Sequence, residues 1–436
     1  MEKSNKLKIN SWSIICFLAG VLPILPGYFN IFGFSAVNVV VSISVLMIIF
    51  LNHLRIRVKR NFPKITIVFI CFIIYQWISY IIFGDYFEII WSALLWIGVG
   101  FFTISYIDSP NKFLTIIDIL IKISAIVCIA GIIESFTKFN IFELLNNSDS
   151  VLYYNPLRFG LRRIIGFGYQ TITYCIYIMF IASLTWYRLT QLGKGKKKSL
   201  YIFIYCLLWL NAILTLSRSV LLGMIACQCL LMAKSGMVKF VKRLTLVILT
   251  IFIVNTVYVT IIGGTNFIEN FIFMLIAVFD ENYQSQISNS FGNDNLNAVG
   301  ARFSLYSWVS NSMDGHWLLG WGRSKIFNYT YKFNNMFRTE ITKASIEVEY
   351  LYTLYHYGII GLITEVIAYL AIIKRGFKRK FTKLKSWEKK LSFNYVIGIT
   401  ILIYCLVMFA VNRSAEARTL YYLIFLFLAY NKPSLK

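Results

Sequence analysis

The sequence predicts an all-α protein, a polytopic bundle of about twelve transmembrane helices with both ends of the chain on the cytoplasmic side. Hydrophobic residues make up 58% of the 436 residues and charged residues only 14%, and the mean hydropathy is +0.67. The apolar residues also fall in blocks of roughly twenty, the length of helix that crosses a hydrocarbon core. Lipid is therefore the solvent that most of this chain is expected to meet.

The individual transmembrane helices are predicted from these apolar blocks. They cover about 11–28, 34–52, 65–83, 87–107, 114–134, 169–189, 200–216, 219–233, 244–262, 348–373, 391–411 and 418–430. The chain then divides into residues 1–262 with nine helices and an external segment at 135–168, a large external loop at 263–347, and residues 348–436 with three helices. The Trp- and Tyr-rich second half of the large loop favours an ordered, partly helical cap.

The orientation follows from the positions of Lys and Arg, because cationic loops resist transfer across the membrane. The richest basic segments, at 53–64, 188–198, 234–243 and 374–390, all fall on the same side of the alternating helices. That side is predicted to be cytoplasmic. The net charge of +24 is accounted for by this topology and by affinity for anionic lipid headgroups, so no nucleic-acid partner is predicted.

Several classes of chemistry lack their sequence signatures. All eight cysteines lie inside predicted helices, which argues against a disulfide framework in the external loops. The sequence contains neither a phosphate-binding P-loop nor a GxGxxG or HExxH motif. Neither a metal nor an organic cofactor is therefore predicted.

A small set of arginines lies on the predicted external side, against the topological bias. They are Arg163, Arg218, Arg302, Arg323, Arg413 and Arg418. The planar guanidinium fork suits phosphate oxygens, so a cluster of arginines at the membrane edge could hold a lipid diphosphate. The alternative for each is that it extends to the interface or pairs with an acidic residue of the loops.

Four short motifs follow one another in the same part of the chain. They are RIIGF at 163–167, LTLSRS at 214–219, a segment from Arg302 through Trp308 to WLLGWG at 317–322, and YLYTL at 350–354 with GIIGL at 358–362. Their order, together with the large external loop, resembles the conserved region of the O-antigen ligase/polymerase superfamily. The resemblance covers Arg163 to Leu362.

This resemblance implies a glycosyltransferase that uses undecaprenyl-diphosphate-linked glycans on the outer face of the bacterial cytoplasmic membrane. Ligases of the superfamily carry a His-Asn pair before the YLxxL helix, whereas this sequence has Glu347-Val348-Glu349-Tyr350 there. The departure favours the Wzy-type polymerase branch, which elongates capsular, O-antigen or exopolysaccharide chains. The implied partners are the lipid-linked oligosaccharide, membrane lipids, and the chain-length regulator and flippase of the same pathway.

The reaction class also indicates candidate catalytic residues. Without a metal, arginines must stabilise the departing lipid diphosphate, and a carboxylate or imidazole must accept the proton of the attacking sugar hydroxyl. The candidate bases are Glu349, Glu347 and His316, and Tyr350 is a candidate glycan contact. Each has a structural alternative, since the glutamates could pair with arginine and His316 could pack within the cap.

A lipid-linked oligosaccharide flippase is the alternative from another class of protein, because such transporters share the helix number and the buried cations. A flippase is expected to contain two related halves. Here the large external loop at 263–347 breaks that symmetry. An O-antigen ligase remains the alternative within the superfamily.

Overall fold

A computed structural model gives the fold of the chain over defined parts of its length. It describes residues 10–51, 62–147, 162–168, 170–234, 298–332, 340–343, 346, 348–378, 385–407, 418–432 and 435, together with separate helical residues between 241 and 260. The structure is 76% helical, with 13 helices in the part of the chain just given. The predicted class, an all-α polytopic membrane protein, is confirmed.

The first six helices end by Thr137. They are α1 (Ser11–Val21), α2 (Ala36–Leu51), α3 (Thr66–Phe83), α4 (Tyr86–Ala93), α5 (Phe102–Tyr106) and α6 (Pro110–Thr137). A π-helical stretch, Leu94–Phe101, joins α4 and α5 into one span. A two-residue hairpin, β1 (Asn30–Ile31) and β2 (Phe34–Ser35), precedes α2, and a short 3₁₀ turn, Ile141–Leu145, follows α6.

The remaining helices begin at Thr171. They are α7 (Thr171–Gln191), α8 (Lys196–Leu214), α9 (Arg218–Ala233), α10 (Ala298–Ser312), α11 (Glu349–Phe377), α12 (Phe393–Val407) and α13 (Arg418–Tyr430). An antiparallel hairpin, β3 (Tyr329–Lys332) and β4 (Glu340–Lys343), lies between α10 and α11.

Apart from the first, the predicted spans agree with the helices to within a few residues where the structure describes them. Six helical segments, counting Tyr86–Tyr106 as one, are long and apolar enough to cross a membrane, and five further apolar helices are shorter. The predicted ninth span, 244–262, falls where only separate helical residues are described. The first helix ends at Val21, well before the predicted residue 28, because Pro23 and Pro26 disfavour its continuation.

Helix α7 lies at the centre of the bundle. Of its most apolar window, 89% is buried, whereas the corresponding value for α3 is 22%. The α3 side chains that remain uncovered are large and apolar, among them Ile67, Ile78 and Ile81, which suits contact with lipid. The peripheral helix α3 nevertheless packs against α11, and this contact helps to build the candidate site.

The described part of the large loop forms a cap with a small apolar core of its own. Leu305, Val309 and Met313 of α10 pack with Phe327 and with residues at the start of α11. This cluster is separate from the main core of the bundle. The described residues 298–328 are thus partly helical, as expected from the sequence, and the hairpin of β3 and β4 lies between them and α11.

Candidate functional site

Helix α11 is broken at Gly358, and the WLLGWG segment of the cap is inserted at the break. Gly358 has φ 67° and ψ −172°, a backbone conformation essentially restricted to glycine. Two helical hydrogen bonds, from Ile359 to Tyr355 and from Ile360 to His356, would normally cross this position. A break inside a membrane protein must find other partners for those groups.

The inserted segment supplies those partners. The Ile359 amide donates to the Trp317 carbonyl at 2.8 Å, and the Ile360 amide donates to the Leu318 carbonyl at 3.4 Å. In the other direction, the amides of Trp321 and Gly322 donate to the carbonyls of Tyr355 and His356 at 2.8 and 3.0 Å. The cap thereby replaces the missing helical hydrogen bonds.

Two motif glycines permit this backbone contact. A Cβ atom at Gly358 would lie 2.2 Å from the Leu318 carbonyl oxygen, and one at Gly320 would lie 2.6 Å from the backbone of residues 356–358. Any side chain at either position would separate the two segments. The glycines of WLLGWG and GIIGL, which are distant in sequence, are therefore parts of a single contact.

The break also folds the first part of α11 back towards its second part. Thr353 donates to a carboxylate oxygen of Glu365 at 2.7 Å, although the two residues are 12 positions apart. A straight helix would separate them by roughly 18 Å. Glu349, at the start of the helix, is fully buried, and Tyr350 donates to the Cys405 carbonyl of α12 at 3.0 Å. The predicted base Glu349 thus lies in a packed environment.

Arg323, which directly follows WLLGWG, is attached to the α3–α4 turn. Its amide donates to Asp85 Oδ2 at 2.9 Å, and the amide and hydroxyl of Ser324 also donate to the Asp85 carboxylate. The Arg323 Nε atom lies 3.3 Å from Glu88 Oε2, and Nη1 donates to the Tyr352 hydroxyl at 2.9 Å. The α3–α4 turn, the cap and α11 therefore meet around one guanidinium.

The guanidinium of Arg323 is charged and partly open, since its side chain is 30% exposed. Desolvation lowers its pKa, but the nearby tyrosine hydroxyls and Glu88 outweigh this, so the pKa of Arg323 is raised above its ordinary value. His356 lies beside it with Nδ1 2.7 Å from the Gly322 carbonyl oxygen, which requires the proton on Nδ1. We call Arg323, Asp85, Glu88, Tyr352 and His356 the Arg323 cluster.

A second cluster joins the RIIGF and LTLSRS motifs. The Arg163 Nε atom donates to the Thr215 carbonyl at 3.2 Å, just before the start of α9 at Arg218. The buried Glu134 carboxylate accepts the amides of Ile165 and Gly166 at 3.1 and 2.9 Å, which fixes the loop that presents Arg163. The two motifs are thus brought together at the ends of α6, α8 and α9.

Neighbouring Arg162 has a structural environment. It contacts the carboxylate of Glu143 and lies 3.6 Å from that of Glu134, and it also donates to the Lys138 carbonyl. These contacts hold the turn after α6 against the RIIGF loop. Arg162 therefore ties the loop in place, whereas Arg163 points to the LTLSRS motif.

Two other predicted site residues lie in packed positions. The His316 ring stacks on Trp321 with the ring centroids 3.5 Å apart, which is the packing alternative considered for it. Arg418 is buried and donates to the carbonyls of Leu22 and Leu25 at the end of α1, as a helix-capping cation does. Glu347 and Arg413, and the side chains of Arg218 and Arg302, lie outside the described residues.

The sequence analysis missed Asp85, Glu88 and His356. Asp85 and Glu88 lie at a short turn between two apolar blocks. The one sequence feature that could have indicated a function was a negative charge at a helix end predicted to be external. His356 lay inside an apolar helix, one turn from GIIGL, and was hidden by the helical periodicity. None of the three belonged to a motif that the resemblance covered.

A known family matches part of the chain that forms this site. The sequence profile of a family described as O-antigen ligase matches residues 203–365. The matched range holds LTLSRS, WLLGWG, Arg323 and the broken start of α11, whereas RIIGF lies before it. No curated protein matches the chain significantly. The match over residues 203–365 of this multi-pass membrane protein supports the resemblance to the O-antigen ligase/polymerase superfamily.

Proposed function

We propose that the protein is a polysaccharide polymerase that joins undecaprenyl-diphosphate-linked oligosaccharide repeat units on the outer face of the bacterial cytoplasmic membrane. The observation that carries the proposal is Arg323. It is a charged, partly exposed guanidinium held by three segments at the predicted external end of the bundle. Members of the matched family are glycosyltransferase-like enzymes of O-antigen pathways, and Arg323 lies inside the matched range.

The proposed reaction is a metal-independent glycosyl transfer. The acceptor is a sugar hydroxyl of one lipid-linked unit, and it attacks the anomeric carbon of another unit. The bond from that carbon to the diphosphate breaks, and the diphosphate leaves with the electron pair. Because charge develops on the leaving group, fixed guanidinium donors lower the barrier. Arg323 and Arg163 are the described candidates for this role, and Arg218 and Arg302 are further candidates from the sequence.

The residues before α11 favour polymerisation over ligation. The ligase branch carries a His-Asn pair before the YLxxL helix, where this chain has Glu347-Val348-Glu349-Tyr350. A capsule, O-antigen or exopolysaccharide pathway would supply the substrate, and its flippase and chain-length regulator would be the protein partners. The undecaprenyl carrier follows from the same resemblance.

The test is to incubate the purified protein in lipid vesicles with one synthetic lipid-diphosphate repeat unit. A polymerase is expected to give a ladder of products that differ by one repeat. Transfer of a single glycan to a different lipid acceptor, without a ladder, would identify a ligase. Movement of intact substrate across the bilayer without new glycosidic bonds would identify a flippase, and either of these outcomes would overturn the proposal.

A further inference from the structure

Glu88 is an acidic residue in direct contact with the candidate diphosphate-binding arginine, although it lies outside the matched family range. It stands in the first turn of α4, with Oε2 3.3 Å from Arg323 Nε, and it is 39% exposed. Its position is fixed by the turn, because the Glu88 amide donates to the Asp85 carbonyl at 3.0 Å. Asp85 in turn holds the backbone of residues 323 and 324. The Glu88 carboxylate and the Arg323 guanidinium are therefore both positioned by contacts with Asp85.

Four other described acids, Asp85, Glu134, Glu349 and Glu365, are engaged in different ways. The Asp85 carboxylate accepts two amides and a hydroxyl, which is a structural arrangement. Glu134 accepts two amides and is 1% exposed. Glu349 and Glu365 are 0% and 1% exposed, so a sugar hydroxyl cannot reach them without movement of α11. Glu88 combines an open carboxylate with contact to Arg323.

The arginine fork allows both contacts at once. A guanidinium carries five N–H donors, and the contacts to Glu88 and Tyr352 are made through Nε and Nη1. Arg323 can therefore hold a diphosphate oxygen while it remains beside the carboxylate. Arg323 would then bring the base and the leaving group to two edges of the same guanidinium.

We propose that Glu88 is the general base of the transfer, which rests on the proposed function. The Glu88 carboxylate accepts the proton of the acceptor hydroxyl while the oxygen of that hydroxyl forms its bond to the anomeric carbon. The bond from this carbon to the diphosphate oxygen breaks, and Arg323 stabilises the charge on the departing diphosphate. Protons and electrons balance without any co-reactant.

A purely structural role for Glu88 predicts a different outcome. If the carboxylate only neutralises Arg323, then Glu88→Gln would leave the arginine freer to bind an anion. Polymerisation would then stay the same or increase. If Glu88 is the general base, Glu88→Gln should instead slow polymerisation. Glutamine keeps the size of the side chain and an acceptor for Arg323, but it cannot take a proton.

The experiment compares Glu88→Gln, Glu88→Asp and wild-type protein, in vesicles, with the synthetic lipid-diphosphate repeat unit. We expect Glu88→Gln to lower kcat roughly a hundredfold to ten-thousandfold, the range for loss of general base catalysis, with KM for the substrate unchanged. The matched control is Asp108→Asn, since Asp108 is also a partly exposed carboxylate paired with a cation, Lys112, and has no part in the candidate site. It is expected to retain wild-type kcat.

The outcomes separate the two proposals. A wild-type protein that forms no ladder contradicts the polymerase function itself. A wild-type ladder with normal or increased kcat in Glu88→Gln overturns only the role of Glu88. Should Glu88→Gln be recovered poorly, Glu88→Asp decides, because withdrawal of a base by one methylene lowers kcat whereas withdrawal of a counter-ion at this exposed pair leaves it unchanged.

Discussion

Arg323 is oriented through its backbone as much as through its side chain. Its amide donates a hydrogen bond to the Asp85 carboxylate. The amide of the preceding Gly322 donates to the His356 carbonyl, and the Gly322 carbonyl accepts from the His356 ring. A long, flexible side chain therefore starts from a fixed point. Such preorganisation reduces the entropy that is lost when a charged substrate binds.

We predict that Arg323→Lys keeps the positive charge and the fold but weakens polymerisation. Lysine cannot hold Glu88, Tyr352 and a phosphate oxygen with one planar group. Loss of a charge-stabilising donor commonly costs about 2–4 kcal/mol in the transition state, or roughly two to three decades in rate. Ladder formation per amount of folded protein measures the effect, and Arg163→Lys is expected to act in the same direction.

The control for this pair is Lys332→Ala, which removes a charge from β3 of the cap, outside the four motifs. It should polymerise at nearly the wild-type rate. Normal rates in both arginine variants, with normal expression, would make the arginines structural and would favour the flippase alternative.

The sequence indicated Arg323 as a site residue but not the residues that contact it. Arg323 could be singled out because positive charge on the external side opposes the topological bias. Its partners could not be identified, because Asp85 precedes Arg323 by 238 positions and reaches it only when the α3–α4 turn packs on the cap. No local pattern encodes such a contact.

Helices were predicted more accurately than the break within one of them. The apolar blocks gave the ends of α3, α7 and α13 to within a few residues, since block length and membrane thickness are directly related. The break at Gly358 depends on hydrogen bonds from residues 317–322, and GIIGL alone also suits a continuous helix. Only the docked cap determines which conformation forms.

We predict that Gly358→Ala destabilises the protein far more than Gly315→Ala. Both glycines have positive φ, 67° and 78°, so alanine is strained at either position, by about 1–3 kcal/mol. At Gly358 the added Cβ would also meet the Leu318 carbonyl at 2.2 Å, whereas no atom lies within 4 Å of that at Gly315. The larger loss at Gly358 therefore reports the docking of the cap on the break in α11.

Thermal unfolding in detergent, followed by protease resistance of the cap, measures this difference. Gly358→Ala should lower Tm and expose the cap to cleavage, and Gly315→Ala should show only the smaller change in Tm. Equal behaviour of the two variants would mean that the contact between WLLGWG and GIIGL does not hold the cap.

The proposed function depends on the orientation that the basic residues predict for the bundle. We predict that tags at Lys194–Lys198 and Lys378–Lys385 are cytoplasmic and that tags near Asn295 and Asn328 are external. Labelling of intact cells with a membrane-impermeant reagent checks each position. A cytoplasmic tag near Asn328 would place Arg323 and Glu88 on the wrong side for a substrate assembled outside.

Long-range contacts of α13 and of the residues just after it have a consequence for how the protein is made. Arg418 caps the end of α1 from 396 positions further along the chain, and the buried Lys432 donates to the carbonyls of Ile104, Ser105 and Ile107. During synthesis these early carbonyls emerge long before their donors. Until α13 is made, these carbonyls lack the donors that they have in the folded bundle, so the last helix to be synthesised completes the ends of the first ones.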